Sequence, residues 1–117
     1  MARLIKHGDI WIADLNPGFG LEIHKKRPVL IISINEFNNA WPKIIVAATS
    51  LQTKPIGPEK VFVPKGYFGF AKDSVILASE IRTIDKSRLI KKIGKLSKEK
   101  LEEVEDALKL VLGMIEI

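Results

Sequence analysis

Apolar residues in this chain come in short bursts, and only after residue 97 does the period become helical. Gly8-Asp9 opens a first burst in which Ile10, Trp11, Ile12, Ala13 and Leu15 supply β-branched and aromatic bulk, predicting a strand. Asn16-Pro17-Gly18 ends it with turn chemistry, and Gly20 permits a second bend. Val29 to Ile32 is a continuous apolar run, as expected of a strand buried on both faces. From Ile34 to Pro42 the residues Asn35, Asn38, Asn39 and Pro42 predict a turn-rich, irregular connection. Ile44 to Ala48 is a second buried strand, ending in Thr49-Ser50, and Leu51 to Lys60 reads as loop through Pro55, Gly57 and Pro58. Val61-Phe62-Val63 is a short strand stopped by Pro64 and Gly66, followed by an aromatic turn from Tyr67 to Phe70. Ser74 to Ala78 is again strongly apolar and continues through Ile81 to Ile84, with a helical turn expected from Asp85 to Leu89 and a last short strand at Ile93.

Ser97 then caps a helix running to about Gly113, with Leu96 placed to staple onto Leu101. Leu101, Val104, Leu108, Val111 and Leu112 recur at helical spacing and predict one apolar face, while glutamates crowd the first half, where the helix dipole favours them. At least five short strands, one terminal helix and no βαβ rhythm give a mainly β (α+β) fold: a small β-barrel of five to seven strands with a C-terminal α-helix. No repeat or linker interrupts it, and the expectation is one domain, 1–117.

Composition narrows the class. At 117 residues, 46% hydrophobic and 28% charged, the chain is long enough to bury a sizeable core. It has no cysteine, which removes disulfides and thiolate metal sites and suits a reducing cytoplasm. The start, Met1-Ala2-Arg3-Leu4, lacks a signal-peptide core, and no apolar run is long enough to span a bilayer, so no membrane role is expected. Nineteen basic against fourteen acidic residues give a net charge of +5. That excess favours a polyanionic partner but is modest, so its placement matters more than its size.

Placement draws attention to the first loop. Arg27 stands where the loop meets a rigid strand, preceded by His24, Lys25 and Lys26. Gly8-Asp9-Ile10-Trp11, Asp14-Leu15-Asn16-Pro17, Gly20, Glu22 and Arg27-Pro28-Val29 together resemble the opening signature of the MazF/PemK/Kid toxins. Asp73-Ser74-Val75-Ile76-Leu77 and the run from Ile81 to Leu89 resemble that family's second signature, in the same order along the chain. The resemblance implies an SH3-like barrel and a ribosome-independent, sequence-selective endoribonuclease from a type II toxin–antitoxin pair. It also implies a homodimer with an RNA groove at its interface, products with 2′,3′-cyclic phosphate and 5′-hydroxyl ends, and a cognate antitoxin with an acidic, partly disordered segment.

The residues admit that chemistry. Two histidines, no cysteine and dispersed carboxylates give no metal-ligand spacing. The glycines of the first loop lead to a strand, not to the helix of a nucleotide-binding motif, and no cofactor is expected. RNA carries its own nucleophile, the 2′-hydroxyl, so a protein that positions the strand and stabilises a dianionic phosphorane needs few groups. A guanidinium matches two phosphate oxygens well, and the resemblance aligns Arg27 with the family's catalytic arginine. It also implies a hydroxyl at the end of the central strand. An ungapped count from Arg27 gives Ser50, whereas a count back from Pro58 and Asp73 gives Thr49. The Thr-Ser order favours Thr49, with Ser50 as the alternative.

His24 is a further candidate acid or base, since imidazole as a class titrates near neutrality. Phe19, Gly20, Glu22, Lys25, Lys26, Glu80 and Arg82 are the expected RNA-binding residues, with Trp41 as an alternative stacking ring and Lys86 and Arg88 expected nearby. Leu21, Ile23 and Glu80 depart from the polar residues usual in the family and bear on which RNA sequence is read. A non-catalytic inhibitor on the same barrel, as in gyrase-poisoning relatives, and a non-cleaving RNA-binding module are the competing functions.

Overall fold

The computed structural model describes residues 3–115; Met1 and Ala2, part of the start read for a leader, lie outside them. Six antiparallel strands form one sheet: β1 (Asp9–Asp14), β2 (Lys26–Ile31), β3 (Lys43–Ser50), β4 (Lys60–Val63), β5 (Ser74–Asp85) and β6 (Leu89–Lys95). Helix α1 covers Asn35–Ala40 and helix α2 covers Lys98–Val111. The spatial order is β4-β5-β3-β2-β1-β6, so the sheet curls into a half-barrel whose outer strands, β4 and β6, are not laddered to each other. The expected small barrel is therefore present, with one open side.

Alternation along the strands loads both faces. Trp11, Ala13, Val29, Ile31, Val46 and Ile84 pack on one side, and Ile10, Leu30, Ala47, Val61, Ile76 and Val104 pack on the other. Near the open side Gly69 and Gly94 pass back to back. A Cβ on Gly69 would stand 2.1 Å from the Ile93 carbonyl oxygen, and one on Gly94 would stand 2.1 Å from that of Phe68. No side chain fits at either position.

Three local expectations need correction. The connection from Ile34 to Pro42 holds a helix, α1, because Asn38 is buried instead of turned to water. Its Nδ2 donates to the Ser33 carbonyl at 2.9 Å, and Ser33 Oγ donates to its Oδ1. Phe37 and Trp41, one turn apart, stack at 4.9 Å. The short strand at Ile93 is the seven-residue β6, whose edge carries Lys91, Lys92 and Lys95; such lysines discourage edge-to-edge pairing and disguise a strand in sequence. On α2 the buried residues are Val104 and Ala107, while Val111 and Leu112 are exposed. Ser97 does cap α2, its Oγ accepting from the Lys100 amide at 3.1 Å.

Two irregularities shape the end of β3 and the loop that faces it. Residues 77–80 of β5 stand opposite the single Ala48 of β3, a bulge from which Glu80 lines a cavity together with Ala48. The loop between β1 and β2 is held at its base by arginines. Arg82 Nη1 donates to the Leu15 carbonyl at 2.9 Å, and Arg88 Nη1 donates to those of Asp14 and Asn16. Lys25, in the left-handed region at φ 75°, closes the loop through its amide on Asn16 Oδ1 and its carbonyl on the Leu15 amide.

Candidate active site

Arg27 lies on β2 next to the end of β3. Its Nε donates to the His24 carbonyl at 2.8 Å, and among the described residues its terminal nitrogens have no hydrogen-bond or ion-pair partner. The side chain is thus aimed by one bond, with its phosphate-matching edge left over. It opens onto a cleft of about 390 Å³ lined by Ile23, His24, Ser50, Gln52 and Lys60 among others. A second cleft of about 250 Å³ is lined by Lys25, Lys26, Pro28, Thr49, Ser50 and Leu51. Arg27 and Ser50 border both.

The two strand-end hydroxyls are in opposite situations. Thr49 is 2% exposed, and its Oγ1 donates to the Pro28 carbonyl at 2.7 Å, tying β3 to β2. Its proton is engaged inside the fold. Ser50 is partly exposed, and its Oγ accepts from the Gln52 amide at 3.0 Å, which leaves its own proton free to donate into the cleft.

The remaining expected residues spread over the loop and its surroundings. His24 lines the cleft, but its ring packs against Gly18 and its carbonyl is what holds Arg27. Phe19 and Leu21 are almost fully exposed at the loop tip, and Gly20 bends the chain between them at φ +62°. Glu22 Oε1 accepts from the Phe19 amide at 2.7 Å. Lys25 and Lys26 are exposed. Glu22, Glu80 and Arg82 share a smaller cavity that adjoins the Arg27 cleft through Glu22 and Ile23.

Arg88, expected along the groove, lies beneath the loop on backbone carbonyls, and Lys86 sits in the short helical turn after β5. Trp41 lines neither cleft at Arg27: it precedes β3, whose far end carries Ser50, roughly 30 Å along an extended chain. Gln52 and Lys60 escaped sequence reading because both lie outside the matched motifs. The one available signal was Gln52's place two residues beyond Ser50, where a turn returns its side chain to the same cleft.

A curled antiparallel sheet with a C-terminal helix, carrying an arginine and a hydroxyl on one cleft, defines a small β-protein of the half-barrel class. The chain belongs to the PemK-like, MazF-like toxins of type II toxin–antitoxin systems, whose pattern it matches over residues 6–112. It is 41% identical over 114 residues to Endoribonuclease EndoA of Bacillus subtilis (strain 168), spanning 97% of this chain and 98% of that one. Its fold superposes on the crystal structure of MazF from Deinococcus radiodurans with a TM-score of 0.85 at 24% identity, covering 97% and 100% of the two chains. It also matches an endoribonuclease in complex with its cognate antitoxin from a mycobacterial species, with a TM-score of 0.76 at 22% identity over 97% and 99%.

Proposed function

We propose that this toxin is an endoribonuclease that cuts single-stranded RNA by attack of a 2′-hydroxyl on the adjacent phosphorus. The P–O5′ bond breaks as the P–O2′ bond forms, leaving a 2′,3′-cyclic phosphate and a 5′-hydroxyl. The observation that carries this reading is the unpartnered edge of Arg27 beside the outward proton of Ser50. The guanidinium N–H groups and the O–H line the same clefts, and donors of this kind stabilise the charge that develops on a phosphorane's equatorial oxygens. Ser50, not Thr49, is the hydroxyl in this reading, because the proton of Thr49 is held by the Pro28 carbonyl. The proton leaving the 2′-hydroxyl has two acceptors in the cleft, the Glu22 carboxylate and the His24 imidazole, and the departing O5′ takes a proton back. None of these steps calls on a metal ion.

Lys25 and Lys26 supply the basic flank along which the RNA backbone runs, and Phe19 supplies a ring for stacking. An antitoxin segment bearing carboxylates would occupy the same flank and block it. The protein acts as a homodimer in the cytoplasm in this reading. Phe62, Leu112, Met114 and Ile115, exposed around the end of α2 and the free edge of β4, give a second copy apolar surface to cover. No helix among the described residues is long and apolar enough to cross a membrane.

The test is incubation of the purified protein with a long single-stranded RNA in EDTA, with the fragment ends then mapped. Discrete cuts with 2′,3′-cyclic phosphate and 5′-hydroxyl termini are expected. RNA that is retained uncut would instead mark a binding module, and RNA neither bound nor cut would mark an inhibitor of another target. Replacing His24 with alanine tells the two proton acceptors apart: an unchanged rate profile between about pH 5 and 8 assigns the proton to Glu22.

A further inference from the structure

One wall of the Arg27 cleft comes from β4, far from the loop and the strand ends that supply the rest. Ser50 pairs with Val75, Val75 pairs with Phe62, and Lys60 stands two residues before Phe62. Side chains two apart on a strand share a face, so Lys60 leaves β4 on the same face as Phe62. β4 lies two strand spacings from β3, roughly 10 Å, a gap that a lysine side chain and a phosphodiester span together. Lys60 lines the cleft from that side, beside its ladder partner Leu77. Its Nζ donates to the Pro55 carbonyl at 2.7 Å, and among the described residues it makes no ion pair. Two of its three N–H groups are therefore uncommitted. Arg27 reaches the cleft from β2, and Glu22 and His24 reach it from the loop joining β1 to β2, so all three lie on the other side of Ser50 in the sheet order.

We infer that Lys60 is a catalytic residue, the general acid that protonates the departing O5′. This rests on the endoribonuclease reading. In an in-line displacement the attacking and leaving oxygens lie on opposite sides of phosphorus, so the base and the acid stand on opposite walls. Glu22 or His24 takes the 2′-hydroxyl proton as the P–O2′ bond forms. The Lys60 ammonium gives a proton to O5′ as the P–O5′ bond breaks, leaving a 5′-hydroxyl and a neutral amine. That amine regains its proton from the protonated base through solvent, which restores both groups. An alkoxide is about as basic as hydroxide, whose conjugate acid has a pKa of about 15.7, so the departing oxygen needs this proton. The other donors lining the cleft do not supply it: the guanidinium of Arg27 keeps its protons, and the Ser50 hydroxyl and Gln52 amide are far weaker acids than an ammonium.

The experiment uses the intact protein and two RNA oligonucleotides carrying the cut site that end mapping defines. One is natural, and the other has sulfur in place of O5′ at the scissile phosphate. A thiolate leaves without help from an acid, since a thiol has a pKa of about 8.5. With protein in excess and a single turnover followed, Lys60→Ala is expected to cut the natural RNA on the order of 100-fold more slowly than the parent. The sulfur RNA is expected to be cut by the same variant within about threefold of the parental rate. Lys60→Arg keeps the positive charge but not a proton it can release, and is expected to match Lys60→Ala on both RNAs. Arg27→Ala is expected to be slow on both, because a better leaving group does not replace charge stabilisation.

Parental cleavage of the sulfur RNA also establishes that each Lys60 variant is folded. Cleavage of the natural RNA at the parental rate by Lys60→Arg overturns the inference, because charge alone would then suffice. Equal losses on the two RNAs for Lys60→Ala overturn it as well, since the residue would then hold RNA or structure and not deliver a proton. A parent protein that yields no cut site to map overturns the nuclease reading itself, and the acid with it.

Discussion

The two ends of β3 treat their polar groups in opposite ways. At its start Ser33, Asn38 and the backbone of Ile45 form a closed set: Asn38 bonds the Ser33 carbonyl and hydroxyl, and the Ile45 amide donates to Ser33 Oγ at 3.0 Å. At its finish Arg27, Ser50 and Gln52 surround a cleft with donors to spare. The strand between them is the same rigid, buried bar of Ile44, Val46 and Ala47. The difference shows where the fold is completed by its own hydrogen bonds and where it waits for a ligand's. A buried polar group without a partner costs stability, whereas one held at a solvent-filled cleft costs little and keeps its capacity.

Mutations can break this contrast, and the largest effect belongs to the open end. Arg27→Ala should lower the cleavage rate on the order of 100- to 1000-fold while changing unfolding free energy by less than about 1 kcal/mol. Parental cleavage by this variant would remove the site as assigned. Ser50→Ala should lower the rate on the order of tenfold to a hundredfold, as loss of one hydrogen bond to a charged group does, again without loss of stability. Thr49→Val, one residue away, should do the reverse: it removes the bond to Pro28, costs about 1–2 kcal/mol in urea unfolding, and leaves the rate per folded molecule unaltered. If the two variants exchanged these outcomes, Thr49 would be the catalytic hydroxyl.

At the closed end Asn38→Leu should cost about 2–3 kcal/mol, since it removes the buried bonds of Asn38 to the Ser33 carbonyl and hydroxyl, with no effect on cleavage by the folded fraction. The smallest effect is expected at Asp85, which pairs with Lys43 at the start of β3. The backbone N–H of Ser87, and then its hydroxyl, hold the Asp85 carboxyl below its ordinary 3.8, with Lys43 and Arg88 adding to the shift. A carboxyl with a depressed folded pKa adds stability above its unfolded value and loses that contribution as pH falls through the folded one. Asp85→Asn should therefore melt slightly below the parent at neutral pH, and the gap should close in acid below 3.8.

The sequence was readable where one local signal decided the outcome. Apolar bursts marked β1 to β5, and the Ser97 cap marked α2, because burial and capping each leave a short-range pattern. Asn-rich α1 stayed hidden because its stability depends on burying Asn38 against Ser33, a pairing no propensity records. Lysine-laden β6 was legible only as a short strand at Ile93, because its edge lysines resemble a solvated turn.

The site divides in the same way. Arg27 was legible from its motif and its place before a strand. That Thr49 donates to the Pro28 carbonyl while Ser50 only accepts, from the Gln52 amide, was not, because it depends on how β3 packs on β2, a long-range matter. Nor does the sequence distinguish Arg27, with free nitrogens, from Arg82 and Arg88, which brace a loop through its carbonyls.

The back-to-back glycines near the open side carry one more consequence. Because each would-be methyl group points at main chain and not at a movable side chain, a change at Gly69 has no companion change at Gly94 that would relieve it. Homologous drift and laboratory evolution should therefore find this crossing closed to both partners, singly and together. Any engineering of the cleft is best done with that pinch left alone, since neither position has room for a Cβ.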